Sequence, residues 1–267
     1  MTRKISSLWF YQPKDLVSKM ERCVDMAGER ADFKGPGQVF FRADDVAVPG
    51  ENFARLMELF IKYRAPLSLA VVPAWLTSPR WQILKRMGRK TPSLWCWHQH
   101  GWRHINHEKK GKKQEFGPNR PVIRIREDLV RGRRRLENLM EKDFYQAFTP
   151  PWNRCGLSTL TLLKELEYHA VSRNLNSWPP PPGKLPDFVI NVDLHTRKRA
   201  NPIKEWDHLF ADLGTAISGG LCGIMIHHQR MNNMSFEFID ILLKVFSHRQ
   251  DISLLHLKDL VGIEAAK

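Results

Sequence analysis

The sequence has few cysteines and no long apolar run. Its four cysteines lie far apart and form no Cys-x-x-Cys pair; they are Cys23, Cys96, Cys155 and Cys222. This spacing excludes a zinc knuckle and predicts reduced core thiols rather than a disulfide framework. No apolar stretch is long enough to span a bilayer, and no signal-peptide pattern follows the N-terminus. We therefore expect a cytoplasmic protein.

Acidic residues are also in deficit. Asp and Glu number 28 against 42 Lys and Arg, which gives a formal net charge of +14. Such an excess indicates an anionic partner, a membrane surface or nucleic acid, but charge alone does not choose among them. Hydrophobic residues make up 42% of the 267 residues, enough for a sizeable core. We predict a single domain over 1–267, with an N-terminal helix over 1–34 and a barrel core at about 38–260.

Apolar runs of strand length alternate with segments of helical periodicity about seven times along the chain. The runs lie at 39–45, 67–73, 94–100, 146–148, 170–172, 188–192 and 223–226. Such alternation predicts parallel strands joined by helical crossovers, either closed into a barrel or open and doubly wound. The segment 105–121 holds Lys, Gly, Asn and Pro and predicts a long loop, a feature that is usually functional in compact domains.

Polar side chains that can bind a ligand follow four of the predicted strands. They are Asp44 and Asp45, His100 and His104, Trp152, and His227 and His228. Because the carboxyl ends of parallel strands share one face of an α/β protein, we expect these side chains to converge on one pocket. A strand cannot direct two consecutive side chains to one side, so the Asp pair also predicts a bulge or turn.

The two histidines that lie four residues apart indicate a metal site. His100 and His104, with one Asp, supply three protein ligands and leave a position open for water. That arrangement is typical of a catalytic zinc ion rather than a structural one. Two histidines and a carboxylate also form the facial triad of non-haem iron oxygenases. The alternating strand and helix pattern fits that alternative less well, because we expect an all-β scaffold for such triads.

The order of these residues resembles the polysaccharide deacetylases of the NodB-homology type, carbohydrate esterase family 4. Asp44-Asp45 resembles the Asp pair of the first motif, and the run from His100 to His104 resembles the H-x-x-x-H second motif. The segment 149–152 is similar to the R-x-P-aromatic third motif, and 224–228 to the last strand and its histidine. The pieces occur in the family's order over about 38–260.

The resemblance implies a distorted (β/α)7 barrel that removes an acetyl group from an amino sugar with the help of a divalent metal. By position, Asp45, His100 and His104 would hold the metal, with zinc as the expected ion. Asp44 would act as the general base. We expect an acetylated sugar or glycan as substrate, and the basic surface would suit an anionic or lipid-linked one at a membrane surface.

The resemblance also implies a general acid and a group that stabilises negative charge on the acetyl oxygen. The acid would be one of the adjacent histidines, with His228 preferred over His227. Trp152, together with Pro151, would bind substrate or stabilise the oxyanion through a backbone N–H.

The chain departs from the family pattern at three places. Thr149 occupies the position of the third-motif Arg, so the base would have to be oriented by Arg42 or Arg154. The fourth motif, D-x-x-D-W, is not recognisable, and only Asp193 and His195 are candidates for its place. In the second motif, Gly101 replaces the usual Ser or Thr. A catalytically impaired glycan-binding relative is therefore an alternative.

A nucleic-acid-binding protein is the alternative from another functional class. Its best feature is the basic cluster formed by Arg131, Arg133, Arg134 and Arg135. On a helix such residues more often form a solvated face. No zinc-finger spacing or other nucleic-acid motif accompanies the cluster, so the sequence favours the hydrolase.

Overall fold

Eight parallel strands form one sheet in a computed structural model that describes residues 5–197 and 201–266. The strands are β1 Gly37–Val46, β2 Leu67–Val71, β3 Trp95–His100, β4 Phe144–Thr149, β5 Ala170–Val171, β6 Val192–Asp193, β7 Leu221–Ile226 and β8 Ile252–Leu255. Their spatial order is β5-β4-β3-β2-β1-β7-β6, and β8 pairs with β1. The predicted parallel α/β architecture is confirmed.

Strand β1 is the centre of the sheet because it pairs with three other strands. One edge pairs with β7, from Gln38 to Ala43. The other edge pairs first with β8, through residues 37–40, and then with β2 from Arg42 onward. The long β1 therefore carries its last residues, including the Asp pair, to the carboxyl end of the sheet.

The irregular segment before β6 closes the sheet into a distorted barrel. The Val171 N–H donates to the Pro186 carbonyl, and the Phe188 N–H donates back to Val171, each at 2.9 Å. A few residues later, β6 pairs with β7 through Val192 and Asp193. This segment thus connects β5, at one end of the sheet, with β6 and its neighbour β7 at the other end, and gives the predicted (β/α)7-type barrel. The strand predicted at 188–192 is regular only from Val192.

Eight helices surround the sheet in the part of the chain that the structure describes. They are α1 Leu16–Glu29, α2 Glu51–Lys62, α3 Ser78–Gly88, α4 Val122–Met140, α5 Leu157–Glu165, α6 Pro202–Ser218, α7 Asn233–Ser247 and α8 Leu257–Ala265. Local sequence signals explain several of their ends. The Asn201 side chain accepts hydrogen bonds from the N–H groups of Ile203 and Lys204, and Pro202 occupies the first turn of α6.

Alternation along β1 separates the helix-facing side chains from those inside the barrel. Val39 and Phe41 pack in the main core below the helices, where the Phe41 and Phe60 rings lie edge to face at 5.2 Å. Phe40 belongs to a separate cluster formed by side chains on the opposite faces of the strands. Because strand side chains repeat every two residues, Arg42 and Asp44 lie on the same side as Phe40.

The N-terminal segment is part of the core rather than an appendage. Only residues 16–29 of the helix predicted over 1–34 form an α-helix, and Ser7–Phe10 forms a 3₁₀ turn before it. Residues 1–4 lie outside the described part of the chain. Trp9 is buried, packs edge to face on Trp206 at 5.6 Å, and donates through Nε1 to the Leu194 carbonyl. The segment is thereby held beside the carboxyl end of β6.

The remaining sequence predictions concern thiols, membranes and the basic cluster. All four cysteines are free. No helix in the described ranges is long and apolar enough to cross a bilayer.

Two arginines of the basic cluster make internal hydrogen bonds: Arg135 donates to the carbonyls of Pro73 and Leu76, and Arg133 donates to that of Leu166. The cluster is therefore not a continuous free cationic face.

Candidate active site

A cleft of about 930 Å³ opens at the carboxyl ends of the strands. Among the described residues, its lining combines side chains from β1, from the turns after β3, β4, β6 and β7, and from the N-terminal segment. Those that could bind a ligand or take part in a reaction include Asp44, Asp45, His100, His104, Trp152, Arg154, Asp193, His195 and His227. The convergence expected from the strand ends is therefore present.

A bulge at the end of β1 brings both carboxylates to this cleft. The register between β1 and β2 shifts between Ala43 and Val46. Asp45 adopts φ +61°, a left-handed backbone conformation that is uncommon for residues other than glycine. The turn redirects the Asp45 side chain, which alternation would have placed on the opposite side from Asp44. A non-glycine residue held in this conformation is frequently found at a functional site.

Asp45, His100 and His104 form a cluster that fits a metal ion. One ligand atom of each residue lies within 4.8 Å of the other two. The Asp45 Oδ1 is 3.4 Å from His100 Nε2 and 3.2 Å from His104 Nε2. Ligands of a tetrahedral zinc ion, each about 2.0–2.1 Å from it, lie about 3.3 Å apart. The donor set and its spacing therefore match a four-coordinate ion with one open position.

Hydrogen bonding prepares His100 as a ligand. Its Nδ1 lies 3.0 Å from the Thr149 carbonyl oxygen, which can only accept, so Nδ1 carries a proton and Nε2, which faces Asp45, is the atom available to a metal ion. Burial lowers the pKa of His100, but the hydrogen bond to Asp45 and the charges of Asp44 and Asp45 raise it above its ordinary value. A proton therefore competes with the metal ion for Nε2 of His100.

His104 lies in a tight turn and is neutral. Its backbone φ is +59°, and its ring lies 4.4 Å from the ring of Trp152, centroid to centroid. Burial and the neighbouring His100 lower the pKa of His104 to about 4. A neutral imidazole is the form that binds a metal, so no proton must leave His104 at neutral pH.

Glu115, in the long loop between β3 and α4, organises the turn that carries His104. Its carboxylate accepts three consecutive backbone N–H groups: Trp102 at 3.1 Å, Arg103 at 2.7 Å and His104 at 3.1 Å. The side chain is fully buried. Burial raises the pKa of Glu115, although the three backbone donors act in the opposite direction. The sequence analysis predicted a functional loop here but did not find this residue.

The structure explains why the second motif has a glycine at position 101. Gly101 adopts φ +58°, and a Cβ at this position would lie 2.2 Å from the Glu115 carboxylate and 2.5 Å from the Pro151 ring. The Glu115 carboxylate thus occupies the space that a side chain at 101 would need. The departure from Ser or Thr is a consequence of the Glu115 contact.

Arg42 is bound to Asp44 inside the barrel. Its Nε and Nη2 donate to the two Asp44 carboxylate oxygens, at 2.8 Å each. The same guanidinium donates to the Ser172 carbonyl at 2.9 Å and to the Asn153 side-chain oxygen. Both partners of the pair are buried. Burial raises the pKa of Asp44, but the Arg42 charge and hydrogen bonds, with a contribution from His100, hold it below its ordinary value.

The Thr149 side chain is hydrogen-bonded to a core histidine rather than to a carboxylate. Its hydroxyl lies 2.9 Å from His98 Nε2. His98 is fully buried, and burial together with the nearby Arg42 charge lowers its pKa to about 3, so the ring is neutral. Arg154, the other residue considered for orienting Asp44, lines the cleft but makes no hydrogen bond or ion pair with Asp44.

The two adjacent histidines after β7 have different surroundings. His227 lines the cleft and is one of the groups that lower the pKa of Asp44, against the larger effect of burial. His228 is buried and its ring packs edge to face on Phe53 at 5.2 Å. His227 therefore faces the cleft, whereas His228 faces α2.

The candidates for the fourth motif lie in and just after β6. Asp193 accepts the N–H groups of His195 and Thr196, each at 2.9 Å, and so closes the turn after β6. His195 is buried, and its Nδ1 accepts the His227 N–H at 3.2 Å. Burial, with the His227 charge next, lowers the pKa of His195 well below its ordinary value. This segment is therefore connected to His227 by one hydrogen bond, from the His227 backbone N–H to the His195 imidazole.

Trp152 and Pro151 differ in what they can offer a substrate. Trp152 lines the cleft and adopts φ +57° in a turn that follows β4. Pro151 is buried and has no backbone N–H, so it cannot donate to an oxyanion. Of these two residues, only Trp152 has a backbone N–H to donate, while Pro151 packs against Gly101.

No protein-family model and no curated protein sequence matches this chain. The fold is nevertheless similar to solved structures. A protein from Mycobacterium smegmatis assigned to the polysaccharide deacetylases superimposes with a TM-score of 0.65 at 13% identity, covering 87% of this chain and 92% of that one. This chain has the NodB-type fold of carbohydrate esterase family 4. The resemblance in the order of motifs is thus matched by the backbone.

Two further NodB-type structures differ in their activity. A family 4 acetyl xylan esterase from Clostridium thermocellum, in complex with a cobalt ion, has a TM-score of 0.54 at 14% identity, covering 85% of this chain and 91% of that one. A family 4 pseudoenzyme from Bacillus anthracis has a TM-score of 0.53 at 12% identity, covering 85% of this chain and 66% of that one. The fold therefore includes both enzymes and proteins without activity, and function must be argued from the site.

Proposed function

We propose that the chain is a single catalytic domain that removes an acetyl group from an acetylated sugar or glycan with the help of one divalent metal ion. The observation that carries this proposal is the convergence of Asp45, His100 and His104 beside a second carboxylate, Asp44, at the carboxyl ends of the strands. We propose zinc as the native ion, since two imidazoles and a carboxylate are typical zinc ligands.

The chemistry would be divided between the metal and the groups around it. Asp45, His100 and His104 would hold the ion, which when bound lowers the pKa of water toward ~7 and polarises the acetyl carbonyl. Asp44 would accept the proton of the attacking water, and its bonds to Arg42 hold the carboxylate in one orientation. The low pKa of Asp44 keeps it ionised and ready to act as a base near neutral pH.

The leaving group would be protonated by a histidine that follows β7. We propose His227 as the general acid, because it lines the cleft and lies close enough to Asp44 to influence its ionisation. An amine leaves poorly unless it receives a proton as the C–N bond breaks. The Trp152 backbone N–H would stabilise the negative charge that develops on the acetyl oxygen.

Two alternatives lose support from the structure. A non-haem iron oxygenase fits less well, because the strands form a parallel α/β sheet rather than an all-β scaffold. A nucleic-acid-binding face would need the basic cluster to be free, but Arg133 and Arg135 are bonded to main-chain carbonyls. The impaired glycan-binding relative is distinguished from the enzyme by the experiment below.

The test begins with metal analysis of the purified protein. We expect about one divalent ion per chain, and loss of that ion in Asp45→Ala. Asp193→Asn is the matched control, since Asp193 lines the same cleft outside the cluster. Acetate release from a panel of acetylated glycans should require the metal. It should disappear in Asp44→Asn while the metal is retained.

Two results would contradict the proposal in different ways. Protein that contains no divalent ion and does not respond to a chelator would remove the metal-dependent mechanism. Protein that binds one ion in the cluster but releases acetate from no member of the panel would favour the impaired glycan-binding relative.

A further inference from the structure

The cleft contains more positive charge than its own carboxylates can balance. Its cationic residues, in the part of the chain that the structure describes, are Lys112, Lys113, Arg154, Arg197 and Arg230. Arg197 is bonded to the Asp212 carboxylate on α6, outside the cleft. Two of the three cleft carboxylates are committed: Asp44 to Arg42, and Asp193 to the N–H groups of its own turn. The third, Asp45, lies beside His100 and His104.

Three of these cations form what we call the basic rim: Lys112, Lys113 and Arg154. None of the three side chains makes a hydrogen bond or an ion pair with a residue that the structure describes. Arg154 is half-buried, and the two lysines are exposed. A half-buried guanidinium without a protein partner retains all five of its donors for a ligand.

The rim is built by two segments that the fold joins. Lys112 and Lys113 lie in the loop between β3 and α4, and Arg154 lies in the turn after β4. Phe116 and Cys155 form a parallel bridge between these segments, and the Gly156 N–H donates to the Phe116 carbonyl at 2.9 Å. The loop that carries the two lysines is therefore anchored beside Arg154.

A second observation points to a polar ligand in the same cleft. His195 is 1% exposed, and its Nε2 has no hydrogen-bond partner among the described residues. Because Nδ1 accepts the His227 N–H, Nε2 of the neutral ring carries the proton. A buried N–H that lacks an acceptor is costly. A ligand oxygen in the cleft would satisfy it.

We infer that the substrate is an acetylated sugar that carries an anionic group, a carboxylate or a phosphate, and that the basic rim binds this group. The inference rests on the proposed function and specifies its substrate class. A guanidinium binds either anion through two parallel hydrogen bonds, and the lysines add charge without strict geometry. The net charge of +14 also favours the approach of an anionic substrate.

The test compares three small probes by calorimetric titration of the metal-loaded protein. They are N-acetylglucosamine, which is neutral; N-acetylmuramic acid, which carries a carboxylate; and N-acetylglucosamine 1-phosphate. We expect at least one anionic probe to bind at least tenfold more tightly than the neutral sugar at low salt. The advantage should shrink at high ionic strength, because exposed charges are screened. The two anionic probes distinguish carboxylate from phosphate.

Variants show whether the preference belongs to the rim. In the triple variant Lys112→Gln, Lys113→Gln, Arg154→Gln we expect the anionic probes to fall to the affinity of the neutral sugar, whose own affinity should not change. Lys109→Gln with Lys110→Gln is the matched control, because both lysines are exposed on the same loop outside the cleft lining. The control should retain the full preference.

The result that overturns the inference is equal affinity for all three probes, or binding of none. A preference that the control variant loses as fully as the triple variant would also overturn it. Failure of the proposed function is visible separately, as absence of metal from the cluster. The rim does not include a metal ligand, so the same titrations on Asp45→Ala should show the anion preference even if the hydrolytic mechanism is wrong.

Discussion

The Arg42 guanidinium donates to both carboxylate oxygens of Asp44, at 2.8 Å each, inside the barrel. The two residues lie two apart on β1, and strand alternation places both on its inner side. The proposed base and the arginine bonded to it are therefore neighbours on one strand, whereas the family pattern would supply an Arg from the third motif. A missing third-motif Arg does not leave Asp44 without an orienting cation.

Removal of Arg42 should destabilise the protein strongly. In Arg42→Gln the buried Asp44 carboxylate loses its cation, and breaking a buried pair costs about 3–5 kcal/mol. Arg126→Gln is the matched control, because Arg126 pairs with Glu165 at the exposed surface and such pairs contribute about 0–1 kcal/mol. Denaturant titration followed by circular dichroism measures both. Equal losses in the two variants would contradict the role given to the buried pair.

Acid should remove the stabilisation that Asp44 contributes. Its folded-state pKa lies below its ordinary value, so the contribution is complete above the unfolded pKa, about 3.9, and is lost as pH falls through the folded pKa. In metal-free protein, the difference in unfolding free energy between wild type and Asp44→Asn should be constant from about pH 7 to pH 5. Below about pH 4 it should shrink. A difference that grows with acidity would mean that the folded pKa is raised instead.

Glu115→Gln should weaken metal binding although Glu115 is not a ligand. Its carboxylate accepts the N–H of His104 and of the two residues before it, and an amide cannot accept with its NH₂ group. Loss of such supporting contacts typically costs 10- to 100-fold in metal affinity. Titration with Co²⁺, followed by its visible absorbance, gives the affinity directly.

Glu108→Gln provides the comparison for that experiment. Glu108 is a buried carboxylate of the same loop, but its Oε2 accepts from Asn119 rather than from the turn that carries His104. We expect its Co²⁺ affinity to remain within threefold of wild type. If both variants lose affinity to the same extent, general loosening of the loop explains the effect and the specific role of Glu115 is wrong.

Substitution of His227 should mainly affect catalysis, and substitution of His228 should mainly affect stability. We expect His227→Asn to lower kcat for acetate release by about 10²–10⁴, the usual contribution of general acid catalysis. His228→Asn should mainly lower the free energy of unfolding, since His228 packs against Phe53. A larger loss of kcat in His228→Asn than in His227→Asn would instead favour His228 as the general acid.

The architecture and the metal cluster were accessible from the sequence. Strand and helix alternation depends on periodicities of two and 3.6 residues, which are local, and it predicted parallel strands with helical crossovers. The distorted barrel was implied by the resemblance to the NodB-type deacetylases. The convergence of Asp45, His100 and His104 followed from one topological rule, that strand carboxyl ends share a face. The bulge at Asp45 was predicted as well, because two consecutive side chains of a regular strand cannot point the same way.

Only the tertiary structure decided which neighbours these residues have. The choice between Arg42 and Arg154 for Asp44, and between His227 and His228 for the cleft, depends on which side chains the folded chain brings together, and no local sequence pattern specifies that. Glu115 left no signal at all, since it lies in an irregular loop among lysines. Its contacts join residues more than ten positions away through the three-dimensional path of the loop, which no local pattern encodes.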